Sequence, residues 1–307
     1  MDRELKGSMT KVLIVQGATA SGKTNLAIQL AINFQTEIIS CDSRQFYKEM
    51  SIGTAKPSKY ELSLAKHHFI DFVTVEQDIS SAQFASLAEP ILKELLNNRG
   101  CAVVVGGSGM FLDALVEGID EIPVNKEIRQ ELTNIFNRFG SQSLLEELRI
   151  SDPIFYEKVD KNNPIRVIRA LEAIRVSGKK MSELQTMKKR VLPFQPIRFA
   201  IDWPRDILYN RINERVDEMI NTGLIGEVNS LMKYRNFVPL NTIGYKEIFE
   251  YLDGKTTKEQ AIQLIKQHSR NYAKRQQTWL RRYQDLNLLD PLSGKSILEQ
   301  ALMLVNH

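Results

Sequence analysis

The sequence predicts an α/β fold: a parallel sheet flanked by helices, interrupted by a mainly helical insertion domain and completed by a helical C-terminal region. Three observations predict it. The apolar run Val12-Leu13-Ile14-Val15 leads straight into Gly17-Ala18-Thr19-Ala20-Ser21-Gly22-Lys23-Thr24, which reads as strand, glycine-bounded loop and helix start, the signature of a P-loop core. Further short apolar runs at 37–40, 101–105 and 197–202 alternate with amphipathic stretches, as parallel strands joined by crossover helices do. From Leu115 to about Pro193 this alternation stops and helical patterns follow one another. The implied organisation is a first core segment over 1–116, an insertion over 117–192 and a second core segment over 193–307.

Residues 1–9 read as a flexible lead without a role, and Met9 is an alternative start. The pattern G-x-x-x-x-G-K-[ST] should arise by chance on the order of once in a hundred chains of this size, and its strand-and-helix context makes accident rarer still. Such a loop presents backbone N–H groups at a helix N-terminus, where the peptide dipoles sum to a partial positive charge that suits phosphate oxygens. Lys23 adds a full charge, and the Thr24 hydroxyl is placed to ligate Mg2+. Which bond of the phosphate ester breaks is not specified by the loop.

Composition narrows the class. With 307 residues, 43% of them hydrophobic, the chain can bury a sizeable core. No apolar run approaches the ~20 residues of a membrane helix, and the N-terminus lacks the apolar segment of a signal peptide, so a cytoplasmic enzyme is expected. Cys41 and Cys101 alone support neither a disulfide framework nor a cysteine zinc site. The net charge of +4 says little about partners; the placement of charge says more.

Glu37-Ile38-Ile39-Ser40 reads as a second strand that delivers Asp42, Ser43, Arg44 and Gln45 at its C-terminal end, the edge where open parallel sheets bind ligands. A helix N-cap is the structural alternative for Asp42. Residues 47–57 read as an irregular loop and 67–72 as a third strand. The adjacent His67 and His68 would point to opposite faces of that strand, which disfavours joint metal ligation. A crossover helix over 80–98 leads to the buried strand Cys101–Val105, which ends in Gly106-Gly107-Ser108-Gly109 where P-loop NTPases and kinases commonly carry an aspartate. Glycines there would let a backbone approach a ligand, and Ser108 would offer it a hydroxyl.

In the insertion, helical patterns cover 126–138, 142–149, 164–177 and 181–188; the third carries Arg166, Arg169 and Arg175 just after Asn162 and Asn163. Beyond the strand at 197–202, a helix from about Asp206 sets Arg211 and Arg215 on one face, where two guanidiniums could close over a diphosphate. The helix over 256–283 has an apolar seam and an opposite side with Lys266, Arg270, Lys274 and Arg281, flanked by Arg275 and Arg282 and almost free of acidic residues. A solvated face is the ordinary explanation for such a stripe. Without acidic partners at helical spacing, it is read as a nucleic-acid contact. The segment 286–290 and a helix at 296–305 close the chain.

Taken together, the chain resembles the bacterial tRNA dimethylallyltransferases, also called tRNA isopentenyltransferases. The resemblance runs nearly end to end and rests on GATASGKT at 17–24, DSRQFY at 42–47, IGTAKP at 52–57, HHFID at 67–71, GGSG at 106–109, RALE at 169–172, RINERVDEM at 211–219, TIGYKE at 242–247 and YAKRQQTW at 272–279. It implies transfer of a dimethylallyl group from dimethylallyl diphosphate to N6 of the adenosine 3′ of the tRNA anticodon, with Mg2+. The loop Gly17–Thr24 with Arg211 would then hold the diphosphate. Lys23, Ser108 and Arg215 would stabilise the leaving group, and Asp42 would accept the proton of the amino group. Asp42, Ser43, Arg44 and Gln45, with Asn163, Arg166, Arg169, Gly244, Tyr245, Lys246, Lys274, Arg275 and Gln276, would contact the tRNA anticodon stem-loop. The enzyme would act as a monomer.

The family's loop commonly has Pro at Ala18, and Thr-Gly-Leu-Tyr where Ser108-Gly109-Met110-Phe111 stands. Serine preserves the hydroxyl, whereas Phe111 forfeits any polar role of that tyrosine. The C-terminal zinc finger of eukaryotic members is absent, which favours a bacterial form. A transferase acting on free adenine nucleotides, a small-molecule kinase and a non-catalytic RNA-binding module are the alternatives. The insertion and basic helix argue against the first, the missing aspartate after Val105 against the second, and the complete phosphate loop against the third.

Overall fold

The structure, a computed structural model, describes residues 10–120, 122–186 and 192–306. The lead at 1–9 therefore lies outside the described residues. The chain divides into two compact units, Met1–Glu117 with Val191–His307, and Gly118–Arg190.

The first unit opens with β1 (Lys11–Gln16), α1 (Lys23–Asn33), β2 (Ile38–Ser40), α2 (Lys59–Leu64), β3 (His67–His68), α3 (Ser81–Arg99), β4 (Cys101–Gly106) and α4 (Gly109–Val116). In the second unit lie α5 (Lys126–Phe139), α6 (Gln142–Ser151), α7 (Pro153–Lys158), α8 (Pro164–Ser177) and α9 (Met181–Leu184). The chain then returns to the first unit with β5 (Gln195–Ile201), α10 (Arg205–Asn221), α11 (Leu224–Ser230), α12 (Tyr245–Leu252), α13 (Lys258–Leu280), β6 (Leu286–Leu289) and α14 (Ile297–Val305).

The six strands form one parallel sheet in the order β3-β2-β4-β1-β5-β6. Side chains alternate across it. Val12 and Ile14 of β1, with Ala102 and Val104 of β4, join the core on the side of α3, α4 and α12, whereas Leu13, Val15, Val103 and Val105 join the core under α1 and α14. Register places Gln16 beside both Gly106 and Ala200, and Ser40 beside Val105, so the strands end together. The loops after β1, β2 and β4 consequently emerge along one edge, where ligands of open α/β sheets bind.

Local signals explain most boundaries. Ser80, Thr257 and Ser296 close capping boxes at the starts of α3, α13 and α14, and Gly100 ends α3 in the left-handed region at φ 69°. The strand expected over 67–72 stops at His68. Phe69 (φ 65°) and Asp71 (φ 54°) turn left-handed, which folds the Phe69 ring against Phe72 and Phe84 and brings Asp71 to Lys56. Phe111 joins the same aromatic cluster, 5.6 Å from Phe46, a wholly apolar setting.

In the second unit, α5, α6 and α8 pack around Leu132, Leu144, Leu148 and Leu171. Helix α7 was not expected from the sequence; Asp152 starts it by accepting from Phe155 N (3.0 Å) and also accepts from Ser182 N (2.7 Å). The helix expected over 181–188 ends at Leu184, and 187 and 188 lie outside the described residues. Among the described residues, no helix is long and apolar enough to cross a membrane.

Candidate active site

The loop between β1 and α1 adopts a conformation its glycines permit, with Gly17 at φ 142° and Gly22 at φ 97°, while Ala20 is held at φ 62° against its preference. Ser21, 2% exposed, has a buried Oγ with no protein partner, and no side chain caps α1 at Gly22. A hydroxyl and the helix-start amides are thus left for an anion. The loop is braced from outside: Trp203 Nε1 donates to Ser21 O (2.9 Å), Arg211 Nε donates to Ala20 O (2.9 Å), and Arg215 Nη1 donates to Thr19 Oγ1 (3.2 Å). Arg211 also stacks over Trp203, 4.5 Å from the ring centroid.

Lys23 curls back so that Nζ donates to Ala18 O (2.6 Å). Burial and then the neighbouring Arg215 push its pKa down to about 8, against a smaller opposing pull from Asp42. Burial likewise lowers the pKa of Arg215. Nearby carboxylates, Asp42 above all, offset this only in part, so the two cations gain from an incoming anion.

Asp42 follows β2 and accepts from Arg44 N (3.1 Å), a turn contact and not a helix N-cap. It lines a cavity of about 70 Å3 together with Lys23, Thr24 and Arg215. A larger cavity of about 550 Å3 is lined by Asp42, Ser43, Arg44, Arg215, Lys246 and Tyr272, among others. A cleft of about 820 Å3 carries Ala20–Thr24 with Arg211 and Arg215. Arg215 belongs to all three. The anion cradle and the carboxylate therefore face shared space.

Several other expected site residues have different settings. Gln276 is 7% exposed: its Oε1 accepts from Thr19 N (2.8 Å) and its Nε2 donates to Gly107 O (2.9 Å), so it ties the loop to the end of β4. Expected to contact tRNA, it is instead buried at the edge of the small cavity, where it occupies one of the loop amides expected to bind phosphate. The glycines after β4 serve packing in the same way. A Cβ on Gly106 would meet Cys41 O at 2.7 Å, one on Gly107 would collide with Gln276 Nε2, and one on Gly109 with the Trp279 indole. On the side a Cβ would occupy, the close approach is taken up by α13 and by Cys41, while Gly106 and Gly107 also line the small cavity with Asp42. Ser108 Oγ lies 3.4 Å from Ser43 N, which donates to it, and 3.3 Å from Ser43 Oγ.

Gln45 Nε2 donates to Thr54 O and Ala55 O, both at 3.1 Å, and so shapes the 51–57 loop. Tyr245 is fully buried and donates its hydroxyl to Glu227 (2.6 Å), and Gly244 N donates to Glu247 (2.8 Å), which leaves exposed Lys246 as the accessible member of that turn. On α8, Asn163 caps the helix through Arg166 N (3.2 Å) and Arg166 is exposed, but Arg169 donates to the buried Glu172 (2.6 Å). Arg129 donates to the same carboxylate. Burial opposes ionisation of Glu172, but these donors hold its pKa below the usual carboxylate range.

The basic stripe on α13 is likewise divided. Lys266 pairs with Asp217 (2.6 Å) and Arg270 donates to Asn213 (2.7 Å), both on α10, so the acidic partner missing from α13 is supplied by its neighbour. Lys274 and Arg275 are exposed.

Sequence reasoning passed over Tyr272, whose ring lines the two smaller cavities with Asp42 and whose pKa burial and then Asp42 push up to about 12. Its place on the inward seam of α13, beside His268, was the available signal. Glu227 was also missed; it accepts from Ser51 N (3.0 Å), Ile52 N (2.7 Å) and Gly53 N (3.1 Å), which sets the loop that walls the cavities.

The model of the IPP transferase family matches residues 45–283. The chain is 41% identical over 292 residues to tRNA dimethylallyltransferase 1 of Bacteroides thetaiotaomicron, covering 95% of each chain. It is 46% identical over 276 residues to the tRNA dimethylallyltransferase of Christiangramia forsetii, covering 89% of this chain and 91% of the relative. Among solved structures, the full-length tRNA isopentenylpyrophosphate transferase of Bacillus halodurans aligns with TM-score 0.71 and 35% identity over 97% of this chain and 96% of that one. A eukaryotic dimethylallyltransferase acting on tRNA aligns with TM-score 0.81 and 27% identity, covering 97% of this chain and 79% of that one.

Proposed function

This chain belongs to the IPP transferase family of tRNA dimethylallyltransferases, and from that premise we propose that it moves the dimethylallyl group of dimethylallyl diphosphate to N6 of the adenosine immediately 3′ of a tRNA anticodon, releasing diphosphate. The observation that carries the assignment is the shared cavity, in which Asp42 lines the same space as Lys23, Thr24 and Arg215. A proton acceptor beside an anion cradle is what alkylation of an amine by an allylic diphosphate needs.

As the C1–O bond of the donor breaks, negative charge grows on the diphosphate. Lys23, Arg215, Ser21 Oγ and the helix-start amides are positioned to stabilise it, and Arg211 braces the loop that presents them. The adenine N6 attacks C1, and its proton passes to the Asp42 carboxylate. The small cavity fits a Mg2+ site: its lining is polar, with Thr24, Ser40 and Asp42, and His67 also lines it, its Nε2 buried without a partner. Thr24 would hold the ion, which supplies charge neutralisation at the diphosphate when bound. The target base must leave the anticodon-loop stack, a cost of about a few kcal/mol that loop bases meet more easily than paired ones.

RNA contacts are assigned to the accessible residues: Lys246, Lys274 and Arg275 on the first unit, and Arg166 on the second. Most would touch phosphates and position the RNA. All residues of the cradle and the acceptor come from one chain, so a monomer suffices, and tRNA as substrate points to the cytoplasm. The test is incubation with labelled dimethylallyl diphosphate and either unmodified tRNA or AMP, beside a labelled-ATP control. Label in tRNA alone is expected. Label reaching AMP but never tRNA, or phosphate transferred from ATP, would reject the assignment.

A further inference from the structure

The two histidines of β3 diverge as strand neighbours must, and only one is satisfied. His68 Nε2 lies 2.6 Å from a Glu37 carboxylate oxygen. His67 has its Nδ1 2.9 Å from Ala65 O, a carbonyl that can only accept, so Nδ1 carries the proton and donates. Nε2 is then a bare lone pair, buried and without a partner, and His67 lines the cavity of about 70 Å3 that Lys23, Thr24 and Asp42 also line. Burial lowers the pKa of the ring, in keeping with the neutral form.

An acceptor here cannot serve a phosphate oxygen, which is itself an acceptor. It needs a donor that arrives with the ligand. Mg2+ takes oxygen ligands, gives up its waters reluctantly and keeps several when it binds phosphates through one hydroxyl or carboxylate, and each such water is a strong donor. We propose that His67 Nε2 accepts a hydrogen bond from a water bound to the Mg2+ held between Thr24 and the diphosphate, making His67 a positioning residue for the metal. It rests on the diphosphate cradle described above. The order Ala65 O, His67 and metal-bound water is the chain of partners that elsewhere orients a metal's surroundings and tunes its affinity.

Inorganic pyrophosphate and Mg2+, without tRNA or prenyl donor, test this by isothermal titration calorimetry. His67→Asn retains a donor for Ala65 O and removes the distal acceptor, and His67→Gln returns an acceptor near the Nε2 position. The expected result is Mg2+ affinity of the pyrophosphate complex reduced roughly tenfold in His67→Asn and largely recovered in His67→Gln, with metal-free pyrophosphate binding unchanged in both. Equal Mg2+ affinity in His67→Asn and the unmodified protein would overturn the role of His67 alone. Failure of the unmodified protein to bind pyrophosphate would overturn the cradle and this role with it. Should the variants not fold, the unmodified protein decides: with four histidines in the chain, the 15N resonance of His67 Nε2 can be followed directly. It should move upfield with magnesium pyrophosphate and not with pyrophosphate alone; no movement would contradict the proposal.

Discussion

Two glycine-bearing loops leave neighbouring strands of one sheet, Gly17–Thr24 after β1 and Gly106–Gly109 after β4, and they put their glycines to opposite uses. In the first, left-handed backbone opens a concave cradle that contains a buried, unpartnered hydroxyl and a lysine whose charge burial disfavours. In the second, the space that absent side chains leave is already taken by Cys41, Gln276 and Trp279. The first loop leaves a hydroxyl and helix-start amides without protein partners, and the second receives α13 while Gly106 and Gly107 still line the small cavity. Gln276 joins them, since it holds Thr19 N with one end of its amide and Gly107 O with the other. Glycine in a sequence states that room is needed, and the identity of the occupant is a tertiary fact.

The difference predicts which loop loses activity and which loses stability when altered. The largest effect belongs to the cradle: Lys23→Met should cost about 10²–10³-fold in kcat/KM, by analogy with removal of one preorganised donor. Its melting temperature should stay level or rise, because a cation whose burial is only partly offset by Asp42 is removed. The second loop should answer the other way. Gly107→Ala forces Gln276 aside and should lower stability by about 1–3 kcal/mol in denaturant melts, and Gly107→Ala with Gln276→Ala together should lose less than the sum of the two single changes. A Gly107→Ala protein of full stability would break the comparison.

The pH dependence of diphosphate binding sharpens it. Lys23 in the free protein titrates at about 8, and the bound anion favours its charged form. Affinity should therefore be level below pH 8 and fall roughly tenfold per pH unit above it, as the anion must recruit a proton to bind. Lys23→Arg, which stays charged, should flatten that fall. Smallest is the effect on α13. Replacing Lys274 and Arg275 should reduce the salt slope of tRNA binding by about 1.4, two phosphate contacts to a single strand, whereas replacing Lys266 and Arg270, which face α10, should leave the slope alone.

Legibility in the sequence followed the range of the physics involved. Strands, crossover helices and caps were readable because apolar period, serine and threonine caps and terminal glycines act over a few residues. The loop between β1 and α1 was readable because its glycines and Lys23 lie in one contiguous stretch, although Trp203, Arg211, Arg215 and Gln276 brace it from elsewhere. What stayed hidden were side-chain partners: Lys266 turns to Asp217, Gln276 to the loop it serves and Tyr245 to Glu227, all far along the chain, while Arg169 turns to Glu172 one turn further on the same helix. The early end of β3 also involved a remote contact, Asp71 with Lys56, whereas α7 starts at a local cap, Asp152 with Phe155 N, that the sequence reading passed over. Charged and amide side chains reveal their type in a sequence and their partners only in the fold.

The most direct test of the account is Asp42→Asn, which keeps the shape of the side chain and the acceptor for Arg44 N while removing the carboxylate. Single-turnover transfer to tRNA should fall about 10²–10⁴-fold, and tRNA and pyrophosphate affinities should remain within a few-fold of the unmodified protein. Transfer at an undiminished rate would contradict the assignment of Asp42 as the proton acceptor beside the cradle.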